Sequence, residues 1–109
     1  MWCKYFIKEV SMGCKTEQYR DIVVPIINKH LPNAKILLYG SRARCEDHPA
    51  SNIDIAIDAG HLIGETIMGY IRSDVEESEL PIAFNIVDFN AVSAKMQETI
   101  LEDAITWYK

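Results

Sequence analysis

No apolar run in this 109-residue sequence approaches the roughly 18 residues that a membrane-spanning helix needs, and no stretch reads as a secretory signal with a cleavage site. A membrane location is therefore not expected, and the cytoplasm is the expected compartment. The three cysteines, Cys3, Cys14 and Cys45, are odd in number and form no C-x-x-C pair, so free thiols are expected in place of a disulfide framework or zinc knuckle. The three histidines, His30, His48 and His61, stand too far apart to match a metal-ligand spacing such as H-E-x-x-H. Positive charge is also short: the formal net charge is −5 and the pI about 5.1, a field that repels nucleic acid and anionic membrane surfaces. No nucleic acid partner is expected. Internal repeats and low-complexity segments are absent as well. What remains is an ordinary globular composition, 49% hydrophobic and 25% charged, at the length of one domain.

Residues 1–15 mix aromatic, basic and small side chains without a sustained period and read as an N-terminal extension or docking segment; residues 16–109 read as the domain. Tyr19, Ile22, Val23, Ile26, Ile27, His30 and Leu31 follow helical spacing, with Pro25 inside the pattern and Pro32-Asn33 ending it. Pro25 is expected either to kink this helix or to mark an effective start near Val24. The continuous apolar run Ile36-Leu37-Leu38-Tyr39 reads as a strand buried on both faces, and it stops at Gly40-Ser41. After a polar loop, residues 52–58 alternate, placing Ile53, Ile55 and Ile57 on one face and Asn52, Asp54 and Asp58 on the other. Helical spacing returns over His61–Ser78, weakened by Gly64 and Gly69. A third strand is expected over Ile82–Asp88. A last helix, capped by Asn90 or Ser93, is expected to run through Val92, Met96, Ile100 and Ala104 up to Trp107. The order of helix, strand, strand, helix, strand, helix predicts an α/β fold, a small sheet with helices packed on it.

The chemistry is concentrated in Tyr39-Gly40-Ser41-Arg42-Ala43-Arg44 and, separated from Ser41 by ten residues, Asn52-Ile53-Asp54. A buried strand that stops at Gly-Ser offers backbone N–H groups and a hydroxyl at its mouth, and Arg42 and Arg44 add guanidinium groups that pair well with phosphate. The plainer reading is a surface turn with two solvated arginines. The neighbouring strand favours the first. Positions i and i+2 of a strand share a face, which is how a sheet presents paired carboxylates to Mg²⁺ and a triphosphate. Asn85, on the third strand, occupies the place wanted for a third such group.

This arrangement resembles the minimal nucleotidyltransferases (MNT) of the DNA polymerase β superfamily, and the resemblance runs from about Tyr19 to Tyr108. The segment YGSRAR…SNIDIAID is similar to that family's G-S-R-A-R-G…S-D-I-D-L-A, and LPIAFNIVDFN to its third-strand segment. The resemblance implies a polymerase β-like fold and transfer of a nucleoside monophosphate from ATP or another NTP to a protein hydroxyl or small molecule, with Mg²⁺ as cofactor. Gly40, Ser41, Arg42 and Arg44 would bind the nucleotide. Asn52, Asp54 and Asn85 would occupy the catalytic and metal-ligand positions. It also implies a helical HEPN-type partner, as in a toxin–antitoxin pair.

This sequence departs from the family pattern in three places. Cys45 replaces a glycine in the loop, and Asn52 and Asn85 replace two of three acids. Asparagine keeps the shape and one acceptor oxygen but drops the charge, so three formal negative charges become one, and Mg²⁺ is expected to bind weakly. Asp58 lies roughly 13 Å along the strand from Asp54, at about 3.3 Å per residue, and Asp88 has the opposite parity to Asn85, so neither is expected to substitute. Two functions stay open: a nucleotidyltransferase with weakened or lost activity, and a non-catalytic, antitoxin-like module that docks a HEPN-type protein. A homo-oligomeric or partner contact is expected through the aromatic ends of the chain.

Overall fold

The computed structural model describes residues 16–44 and 52–109, so the expectations placed on residues 1–15, on Cys45 and on His48 lie outside the described residues. Helix α1 spans Glu17–His30, strand β1 Lys35–Tyr39, β2 Ile53–Asp58, α2 Glu65–Glu77, β3 Phe84–Asp88, α3 Ala94–Asp103 and β4 Ile105–Tyr108. The four strands form one mixed sheet in the order β3-β2-β1-β4. β2 is antiparallel to β1 and parallel to β3, with α2 as the crossover between the parallel pair.

The period-2 pattern of the central strands divides the core into two layers. Ile36 and Leu38 of β1, Ile53, Ile55 and Ile57 of β2 and Ile86 of β3 pack beneath Val23 and Ile27 of α1 and Met68, Ile71 and Val75 of α2. On the other face Leu37, Tyr39 and Ala56 pack against Ile100 of α3, with Met96, Val87 and Phe89 around them. β1 is buried on both faces after Lys35, as its continuous apolar run predicts.

Pro25 lies inside an unbroken α1. It sits on the exposed side of the helix, where the Asp21 carbonyl that loses its N–H donor can turn to water. α2 begins at Glu65, four residues later than the spacing suggested, because Gly60 and Gly64 adopt φ of +83° and +94°. The approach to α2 is tied down instead by Asp88, whose Oδ2 accepts the Ile63 N–H at 2.7 Å.

The end of the chain corrects the sequence reading. The last helix does not reach Trp107; it ends at Asp103, and Ile105–Tyr108 is an edge strand paired antiparallel to β1. Two causes are visible. Ile105, Thr106, Trp107 and Tyr108 are all β-branched or aromatic, and β1 has an otherwise open edge whose backbone groups they satisfy. The pairing is irregular between Ile36↔Tyr108 and Leu37↔Thr106, which leaves Trp107 as an extra, bulged residue. The helix start follows expectation: Ser93 caps it, its Oγ accepting the Met96 N–H at 3.1 Å.

Candidate functional site

Register alone gathers the key side chains. Tyr39 stands opposite Asp54 in the β1–β2 pair, and Asp54 stands beside Asn85 in the β2–β3 pair. Strands lie about 4.8 Å apart, so the Asp54 and Asn85 side chains meet on the sheet face that carries α3. Asn85 Nδ2 donates a hydrogen bond to Asp54 Oδ1 at 3.2 Å. The ionised carboxylate only accepts, so the NH₂ end of the amide is the end that must face it.

The second oxygen of the same carboxylate defines the turn above it. Gly40 adopts φ +78°, and a β-carbon placed there would collide with Asp54 Oδ2. Glycine is favoured by the left-handed backbone, and a side chain there would also have to move the Asp54 carboxylate. The Gly40 carbonyl accepts the N–H groups of Ala43 (3.0 Å) and Arg44 (3.2 Å), so residues 40–44 close into a tight turn at the end of β1. Ser41 is half-buried in that turn. Arg42 is 8% exposed, which contradicts the plain reading of two solvated arginines. Arg44 reaches across to the end of α3, where its Nη1 donates to Asp103 Oδ2 at 2.7 Å.

Asn52 is exposed immediately before β2 and makes no hydrogen bond to Asp54 or Asn85 among the described residues. The structure therefore brings together Gly40, Asp54 and Asn85, with Asn52 at the approach and Ser41, Arg42 and Arg44 in the turn. The roles of two residues of the site escaped the sequence reading. Tyr39 was named in the motif without a role; it lies beside Asp54, and burial first, then the Asp54 charge, holds its phenol above its ordinary pKa, so it stays neutral. Antiparallel pairing of the two strands was the signal that could have found it. Asp103 anchors Arg44, and no local pattern announces a partner 59 residues away.

Asp58 and Asp88 are engaged elsewhere. Asp58 Oδ1 accepts the Gly60 N–H (2.9 Å) and Asn90 Nδ2 (2.8 Å) at the far end of β2. Asp88, 6% exposed, is occupied by the backbone of Ile63 and Asn90. Among the described residues no three His, Cys, Asp or Glu side chains are gathered where they could share one cation. With an amide NH₂ aimed at the single carboxylate, the residues present do not fit a two-ion centre.

The polymerase β nucleotidyltransferase family model matches residues 22–109. The chain belongs to that family. Its fold is that of the minimal nucleotidyltransferases. One similar structure is a chain of a toxin–antitoxin pair with AMP-PNP, at TM-score 0.70 and 19% identity, covering 82% of this chain and 72% of that one. Another comes from a Shewanella oneidensis complex of a tri-AMPylated HEPN toxin with an MNT antitoxin, at TM-score 0.67 and 16% identity, covering 85% and 71%. A third is a minimal nucleotidyltransferase, at TM-score 0.65 and 21% identity, covering 86% and 95%. At these identities the likeness is one of fold. No curated protein sequence matches the chain.

Proposed function

We propose that this chain is a nucleotidyltransferase-fold domain that retains the family's phosphate-binding turn and has weakened or lost metal-dependent transfer of a nucleoside monophosphate. The observation that carries the reading is the hydrogen bond from Asn85 Nδ2 to Asp54 Oδ1. In the family's chemistry acids at positions 52, 54 and 85 would hold a divalent ion, which would neutralise the charge of the triphosphate. Here Asn85 presents a hydrogen-bond donor to the Asp54 carboxylate and neither Asn85 nor Asn52 supplies a second charge. Gly40, Ser41 and the arginines of the turn are the groups that would hold a nucleotide's phosphates, with ATP or another NTP as the ligand. Mg²⁺ would bind weakly.

Losing one charged group at a preorganised site commonly costs on the order of 10²–10³ in rate, so two substitutions leave activity near background. The test is AMP transfer from labelled ATP in Mg²⁺, with a HEPN-type protein as acceptor. The chain should label it at background, and the Asn52→Asp/Asn85→Asp double variant should exceed that by about 10²-fold or more. Equal labelling by both proteins would contradict the reading.

Without transfer chemistry, this domain would act by binding. The fold is shared with an MNT antitoxin held in complex with its HEPN toxin, which favours a protein partner of that type for this chain, neutralised by occlusion.

A further inference from the structure

β3 forms one outer edge of the sheet. Its odd-numbered residues bond to β2: the Ile53 N–H donates to the Ala83 carbonyl, and the Phe89 N–H to the Ile57 carbonyl, both at 2.9 Å. Alternate residues of a parallel strand bond to the same neighbour, so the main-chain groups of Phe84 and Ile86 point away from the sheet. The Ile86 carbonyl is covered by Arg72, through Nε at 3.2 Å and Nη2 at 3.1 Å. The Phe84 N–H and carbonyl have no partner among the described residues. An edge with unpaired main-chain groups is a template for another strand.

Beside this edge, the end of α2 and the approach to β3 enclose a groove of about 500 Å³ lined by Val75, Leu80, Ile82 and Phe84, together with Arg72 and Glu76. Apart from Arg72, the charged side chains lining the groove and following α2 are acidic. α2 has no basic residue in its last turn, where the negative end of the helix dipole lies, and Glu76, Glu77 and Glu79 are exposed there. Arg72, already on the Ile86 carbonyl, also pairs with Glu65 at 3.5 Å. A cation placed at this helix end would relieve that imbalance.

We propose that this groove docks an extended segment of a partner protein in which lysine or arginine is interleaved with apolar side chains. The segment would pair with the edge of β3 at Phe84, seat its apolar side chains on Val75, Leu80 and Ile82, and set its cations against Glu76 and Glu79. A second copy of this chain fits poorly, since the same acidic helix end would meet itself in a molecule of net charge −5. The proposal gives the partner-binding reading a surface and rests on that reading. It is separable from the metal-site reading, because Val75 and Ile86 belong to the core layer beneath α1 and α2, on the opposite sheet face from Asp54.

The test uses the full chain and a fluorescent synthetic peptide of about ten residues alternating lysine with valine, with a glutamate-for-lysine peptide as counterpart. The lysine peptide is expected to bind and the glutamate peptide not. Binding should weaken about tenfold or more in Ile82→Glu and, separately, in the surface variant Glu76→Lys, whose thermal melt should be unchanged, and should be unaffected in Asp54→Asn. The Phe84 amide should gain protection from hydrogen exchange when the peptide binds. Failure of the peptide to bind, equal binding of both peptides, or indifference to both groove variants overturns the proposal. So does concentration-dependent self-association lost in Ile82→Glu, which assigns the groove to a second copy. Broadening of the Ile82 signals by a spin label on Cys3, in a Cys14→Ser/Cys45→Ser background without peptide, assigns it to the chain's own N-terminal residues and also overturns it.

Discussion

At the residue scale, the account turns on what an amide does where an acid is expected. Two carboxylates side by side on adjacent strands repel unless a cation joins them; an amide beside a carboxylate needs no cation, because it brings its own donor. The Asn85–Asp54 hydrogen bond is the local consequence. Gly40 shows the same economy of space. Its glycine was legible in the sequence as the end of a buried strand, but the Asp54 carboxylate against its Cα depends on strand register and cannot be read from the turn itself. Gly40→Ala should destabilise the fold by at least about 1–2 kcal/mol from the left-handed backbone alone. Because the added methyl must also displace Asp54, the cost in urea unfolding should fall when Asp54→Gly is combined with it; strict additivity of the two changes would contradict this contact.

At the element scale, the strands around the site were readable because period-2 alternation and a double-sided apolar run are strong local signals: Ile53, Ile55 and Ile57 lie on the face predicted, and β1 is buried on both sides. The chain end was misread because Val92, Met96, Ile100 and Ala104 continue a helical spacing that nothing after Asp103 visibly stops. What ends the helix is the unfilled edge of β1, a tertiary demand absent from the local sequence. α3 nonetheless matters to the site, since Ile100 packs on Leu37 and Tyr39 beneath it and Asp103 holds Arg44. Ile100 is fully buried. Ile100→Ala should therefore cost about 2–5 kcal/mol in denaturant unfolding. A loss below about 1 kcal/mol would mean that α3 is not a structural layer of the domain.

At the scale of the whole molecule, long-range electrostatics were the least legible feature. His30 was read as part of the apolar stripe of α1; it instead bonds Asp74 of α2 at 2.7 Å and stacks on Tyr70, with Lys29 at 3.4 Å from the same carboxylate. The His30 hydrogen bond, then Lys29, holds the Asp74 carboxyl below its ordinary value of 3.8. A depressed carboxyl pKa contributes stability above the unfolded-state value and loses it as pH falls through the folded-state one. Asp74→Asn should thus lower the melting temperature near neutral pH, and the gap to the parent should close as pH falls below about 3.8; a gap that widens on acidification would contradict the assignment. The family and its fold rest on the sheet and the Gly-Ser turn, both visible in the sequence, whereas the state of the metal positions depends on which atoms face each other across β2 and β3. The most direct measurement is calorimetric titration of MgATP into the chain and into its Asn52→Asp/Asn85→Asp variant, each with and without a chelator. The account predicts that Mg²⁺ strengthens nucleotide binding at least about tenfold in the variant, through its restored carboxylates, and has little effect on the chain itself. Equally strong Mg²⁺ dependence in both would contradict it, because the amide-bearing site would then be holding the ion.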